Sequence, residues 1–378
     1  MDRWFDVPLA RLPRTALRAV LLGAIGFAGT PLAASAATIH VGNHGSDAAG
    51  CGSAAAPCRT ISQGVRAASP GDRVLVQPGV YGDVDGDGAF VTPGDEPAQI
   101  GDGCNCLVAI DKPLTVVSEA GAGATILRGA VDGLFAVVID APDVALGRKK
   151  AGFAIVGDLQ HDGFGVRVNA SGSGARVEGN LFSRLDQGLF VAGDGSRIVG
   201  NRIAEVFRQG VHAEGSGITI AANVLEQVGT PGANTSAIHV VGRGASGHTV
   251  ARNLVVGNLG IGIFVDDGAG SPAGTPHLVT DNLVVGNGAA GIKVVLGFSS
   301  GGVRVNGNSL YANDGASGGN CGLETLSAGP SIDATNNFWG SPAGPGADPS
   351  DDVCSVGTPP DTSGASATPF ARVAPPLR

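Results

Sequence analysis

Two histidines, two carboxylates and a lysine stand at matching places in similar short phrases. They are Gly210-Val-His212-Ala-Glu214, Ala237-Ile-His239-Val, Gly262-Ile-Phe-Val-Asp266 and Gly291-Ile-Lys293-Val. Imidazoles take up and release protons near neutral pH, and an ammonium neutralises a bound or developing anion. His212, Glu214, His239, Asp266 and Lys293 therefore form a candidate catalytic set for proton abstraction beside a carboxylate. His239 or His212 would be base or acid, and Lys293 the neutraliser. The same phrase carries Arg167, Phe190 and Phe264 at its third place, a cation and two rings suited to holding a ligand. A metal on His212, Glu214 and His239 has suitable ligand types, but strand spacing is not tuned to tetrahedral distances.

These residues are far apart in sequence, so a repeating element must bring them together. A second phrase supplies it: Arg176-Val-Glu-Gly-Asn180-Leu-Phe, Arg197-Ile-Val-Gly-Asn201-Arg-Ile and Thr219-Ile-Ala-Ala-Asn223-Val-Leu, continuing through Asn253, Asn282, Asn308 and Asn337. Successive asparagines are 21, 22, 30, 29, 26 and 29 residues apart, the period of a solenoid coil with loops of varying length. Each phrase alternates small apolar and β-branched residues about the asparagine, so it reads as strand, bend, strand. A lone buried amide is costly, whereas amides stacked ~4.8 Å apart bond along the column. Asn258, Asn287 and Asn313 read as a shorter second ladder.

Stacking in register turns the third places into one outward column, Arg167, Phe190, His212, His239, Phe264, Lys293 and Glu324. Asn169, Ala192, Glu214, Val241, Asp266, Val295 and Leu326 form the column beside it. Neighbours would be ~5 Å apart between coils and ~7 Å apart along a strand. Glu214 and Asp266 would then stand about two coils apart, near the wider carboxylate separation of inverting glycoside hydrolysis. Glu324 lies too far along the column to join them.

Composition narrows the class. With 63 glycines in 378 residues and 4% aromatics, the chain suits a turn-dense β-protein and excludes an ordinary helical enzyme. Residues 1–36 read as a secretory signal: Arg11, Arg14 and Arg18, an apolar run from Ala19 to Ala28, then Ala34-Ser-Ala36. That stretch has four arginines against two aspartates, so the remainder carries −11 where the whole carries −9. This argues against a nucleic acid partner, and no later segment is long and apolar enough to span a membrane. The six cysteines fit an oxidising compartment, with Cys51–Cys58 and Cys321–Cys354 as preferred pairs. Cys104 and Cys106 are left among a local bridge, other pairings or a metal site. The expected location is secreted, periplasmic or at the cell surface, with the oligomeric state open.

Asp83-Val-Asp85-Gly-Asp87-Gly88 sets oxygen ligands at alternate positions before a turn glycine, as a calcium loop does, and calcium is the one cofactor suggested. The place of the closing glutamate falls on Gly94, and Asp and Gly also build ordinary acidic turns.

On these residues the chain resembles the right-handed parallel β-helix superfamily of pectate-lyase-like proteins. Ile39-His-Val-Gly-Asn-His-Gly-Ser46 and Pro70-Gly-Asp-Arg-Val-Leu-Val-Gln-Pro-Gly-Val-Tyr81 are similar to the opening of many secreted members, and Asn336-Asn-Phe-Trp-Gly-Ser-Pro-Ala-Gly-Pro345 to their closing segment. The resemblance implies an all-β, single-domain fold over 37–378 with an N-terminal capping helix at Thr60–Ala68. Within it, 37–82 would be the opening segment and cap, 83–106 an acidic insertion, 107–335 the rungs and 336–378 the closing segment. It further implies an exported protein that binds an acidic polysaccharide along its lateral face, with cleavage or epimerisation left open. If catalytic, it would be a polysaccharide lyase, an epimerase or a glycoside hydrolase. The alternative is a non-catalytic surface, structural or adhesion module. No Asp-Pro-His-Asp epimerase motif is present; Thr275-Pro-His277-Leu is no substitute.

Overall fold

The computed structural model describes residues 36–99, 104–130, 133–157, 163–231, 235–242, 247–267, 276–297, 302–314, 319–327, 331–347 and 349–369. The expected signal segment lies outside them, apart from its last residue, as does much of the longer loops after Gly229, Asp267 and Gly297.

Every strand-to-strand pairing among the named strands is parallel, and each coil contributes one strand to each of three columns. One column is a 10-stranded sheet from Thr38–Val41 to Val303–Asn306. The other two merge into a 17-stranded sheet because Leu181–Val191 and Arg202–Ala213 run through the bend that separates them elsewhere. The result is a parallel β-helix. Strands at Arg73–Val76 and Gly79–Gly82 already pair within it, and Asp352–Gly357 still pairs with Cys321–Ser327.

Alternation sends Val166, Leu189, Val211, Ile238, Ile263, Ile292 and Leu323 into a continuous core. Helix Ile61–Ala67, N-capped by the Thr60 hydroxyl, packs Ile61 and Val65 into one end of it. The buried Glu96 carboxylate accepts from the Ile61 and Ser62 N–H groups, tying the segment after Gly79–Gly82 to the helix start. At the other end Trp339 is fully buried and Phe338 nearly so.

All seven ladder asparagines are buried. Asn253 shows the pattern: its Oδ1 accepts from the backbone N–H and the Nδ2 of Asn223, both at 3.0 Å, while its Nδ2 donates to Ile220 O at 2.9 Å and Asn282 Oδ1 at 3.0 Å. The second ladder is also present, and Asp351 ends it by accepting from Asn313. Each ladder asparagine from Asn180 on follows a residue in left-handed backbone: Gly179, Gly200, Ala222, Arg252, Asp281, Gly307 and Asn336, with φ from +55° to +71°. That residue makes the bend, and the amide ladder holds it closed. A second constraint explains the recurring glycine of the outer phrase. A Cβ on Gly165 would stand 2.2 Å from the Gly188 carbonyl oxygen, and one on Gly188 would stand 2.4 Å from that of Gly210.

Cys51–Cys58 and Cys321–Cys354 are bonded, with Cα separations of 4.9 and 5.8 Å. Cys104 bonds to Cys106.

Candidate functional site

The third column positions the site. Arg167, Phe190, His212, His239, Phe264, Lys293 and Glu324 are direct cross-strand partners from coil to coil, in the register expected from the repeat. Their rings make one stack. Phe190 and His212 lie parallel with centroids 5.3 Å apart, His212 and His239 meet edge to face at 4.7 Å, and His239 and Phe264 lie parallel at 4.7 Å. At the lower end the Arg167 guanidinium sits 5.4 Å from the Phe190 ring and 5.7 Å from that of Phe135. Its Nε donates to Asn169 Oδ1 at 2.7 Å. At the upper end Lys293 Nζ pairs with Glu324 Oε1 at 2.9 Å.

Within the stack, His212 Nε2 and Glu214 Oε1 are 2.9 Å apart, so the carboxylate two residues along the strand fixes the imidazole plane. The His212 ring is 13% exposed and Glu214 46%, and Nδ1 of His212 has no hydrogen-bond partner among the described residues. His239 stands one coil on. Asp266 stands on the Phe264 strand, one coil beyond His239 and two residues further along, in register with Val241 and Val295. Thus His212, Glu214 and His239 form one cluster, while Lys293 and Arg167 lie at opposite ends of the column. Glu324, set apart from the acids in sequence, is the partner of Lys293.

Three further residues join the face. Phe135 stacks on Phe164 at 4.9 Å, and Arg208 lies 5.8 Å over Phe164 while pairing with Asp186. Phe164 immediately precedes the Gly165 phrase, so its place was readable. Phe135 belongs to a coil without that phrase, and Arg208 to the bend spanned by the long strand Arg202–Ala213, where the repeat gives no register.

Asp83, Asp85 and Asp87 do bring three carboxylate oxygens within 4.8 Å of one another. Those oxygens already serve the turn. Asp83 accepts from Gly86 and Gly88 N–H, Asp87 from Ala89 N–H, and Asp85 from the Asp87 N–H and the Thr92 hydroxyl, which holds Asp85 below the usual carboxylate range. They are also the residues that would hold a calcium ion.

His248 and His277, outside the column, are buried and stacked at 5.0 Å. Burial drives the His248 pKa down to about 4, helped by His277, and lowers that of His277. No helix among the described residues is long and apolar enough to cross a membrane.

A family described as the right handed beta helix region matches residues 164–339. Among solved structures, a rhamnogalacturonan lyase aligns over 79% of this chain and 87% of its own at 13% identity and a TM-score of 0.48. Pectate lyase Pel9A aligns over 88% and 79% at 14% identity and 0.47. The Dettilon tailspike protein aligns over 78% at 15% identity and 0.42, with the chain spanning 64% of the tailspike's length. No curated protein matches the sequence.

Proposed function

We propose that this right-handed parallel β-helix binds an acidic polysaccharide laid along the column from Arg167 to Lys293. The observation that carries the reading is the outward stack of Phe190, His212, His239 and Phe264 over four successive coils. The rings pack on one another outside the core and leave part of their faces open along the column, and sugar faces pack well on such rings. Cations at the two ends, Arg167 and Lys293, supply charge for uronate carboxylates.

On a bound uronate, the catalytic form of this reading gives proton abstraction beside the carboxylate to His212, held by Glu214, and the return of a proton to His239 on the next coil; both roles require His212 Nδ1 and the His239 ring nitrogens, buried in the unliganded chain, to become accessible on binding. Elimination after that abstraction cleaves the chain; reprotonation on the opposite face epimerises it. A second reading, adhesion without turnover, has its own support: Lys293 pairs with Glu324 and Arg208 with Asp186, so two cations of the face are already neutralised. Product analysis on a panel of polyuronates separates the two. Turnover requires new unsaturated ends, seen by ultraviolet absorbance, or inverted residues, seen by NMR, and both must vanish in His239→Ala. Unchanged product formation in that variant would remove His239 from the chemistry.

A further inference from the structure

We propose that the Cys104–Cys106 bridge is a thiol–disulfide exchange site, opened and closed by a thiol-bearing partner while the coils stay folded. The bond spans one residue, Asn105, which is exposed and held at φ +46°, a region that Asn tolerates better than most side chains. Its two sulfurs are unequal in access. Cys106 is fully buried as the first residue of the strand Cys106–Ile110, whereas Cys104 is half-buried beside the exposed Asn105.

The backbone around the bond is held without it. Cys106 pairs in register with Phe135, Gln99 N–H donates to the Cys106 carbonyl at 2.8 Å, and Phe135 N–H donates to the Asn105 carbonyl at 2.9 Å. Opening the bond therefore leaves Asn105 and Cys106 held, and Cys104 stays tethered two residues from Cys106. The other two bonds close longer loops, with separations of 7 and 33 residues, and Cys321–Cys354 joins the last two strands of the outer column. A disulfide contributes to folding more as its loop lengthens, so the Cys104–Cys106 bond contributes least.

The exchange balances as two transfers. A partner thiolate attacks Cys104 Sγ, forming a mixed disulfide while Cys106 leaves as a thiolate. A second thiolate then attacks the partner's sulfur, expelling Cys104 as a thiolate and giving the partner disulfide. Two electrons pass from two thiols to the protein, and glutathione disulfide returns the bridge by the reverse steps.

The oxidised full chain, equilibrated in glutathione buffers of graded ratio, alkylated and mapped by peptide mass spectrometry, reads the outcome. Cys104 and Cys106 should be labelled at a reduced-to-oxidised ratio at least about tenfold lower than the other four cysteines, with unchanged circular dichroism. Cys106→Ser should accumulate glutathione on Cys104, and Cys104→Ser should label Cys106 at least about tenfold more slowly. The wild-type experiment stands if either variant fails to fold. Simultaneous opening of all three bonds, opening only on unfolding, or preferential survival of Cys104–Cys106 would each overturn the proposal.

Discussion

Replacing Asn253 by Ala removes one amide from the middle of the ladder and leaves its neighbours in place. Two buried groups lose their partner, the Asn223 backbone N–H and one hydrogen of Asn223 Nδ2, while the Ile220 carbonyl loses one donor and keeps its place in the strand ladder with Thr249–Ala251. Asn282 Oδ1 keeps its bond from the Asn253 backbone N–H at 2.9 Å. Each orphaned group costs roughly 1–3 kcal/mol, so the loss should be about 4 kcal/mol, allowing for partial relief by water in the space left. Against a typical stability of roughly 5–15 kcal/mol this is a large fraction. Urea unfolding at constant m-value would report it, with the exposed Leu259→Ala as a control expected to cost under about 1 kcal/mol. Hydrogen exchange adds a local reading, since protection of the Asn223 amide should fall most. A loss below about 1 kcal/mol with Asn223 still protected would show that backbone pairing closes the bends and the amides merely occupy them.

Further outcomes follow from single residues. Ala222 holds φ +55° before a ladder asparagine, so Ala222→Gly should stabilise by about 0.5–1 kcal/mol; a lower melting midpoint would contradict the strain. His248, with its pKa lowered from 6.5 to about 4, contributes stability that is fully present above pH 6.5 and is lost as pH falls towards 4, about 3 kcal/mol at most. Glu96 acts in the opposite sense: burial raises its pKa from 4.5 to about 7, so its cost grows as pH rises through that window. The acid loss should therefore be measured by urea titration in Glu96→Gln, where a flat profile between pH 6.5 and 4 would exclude the histidine pair. Calcium against chelator tests the cluster of Asp83, Asp85 and Asp87: a rise of the melting midpoint by more than about 2 °C would establish a metal site, and an unchanged midpoint would remove it.

The fold was legible because its period is written in chemistry that tolerates no substitution of kind. A ladder asparagine must supply both a donor and an acceptor at one depth, so Asn180 to Asn337 stand out despite coils of unequal length. The register followed, and with it the juxtaposition of His212 with His239. Less visible was how charges pair once aligned. Side chains as long as Lys293 and Glu324 choose partners by reach, and the sequence carries only their places in the column. The cation–ring contact of Arg167 with Phe135 was hidden for a related reason, since Phe135 precedes the coils in which the repeat is clear. The repeat alone gives no reason for the glycine that opens the outer phrase, which the stacking supplies: Gly165 and Gly188 lie where a neighbouring carbonyl leaves no room for a Cβ.

The polysaccharide reading is tested most directly by calorimetric titration of the chain with polyuronate oligomers of increasing length, beside a neutral glucan of equal length. Binding along the column requires affinity to rise until the oligomer spans Arg167 to Lys293, five coil steps or about 24 Å. It also requires the double variant Phe190→Ala, Phe264→Ala to lose at least about tenfold in affinity, with the neutral glucan bound more weakly throughout. Equal affinity of wild type and double variant, or no dependence on oligomer length, would contradict it.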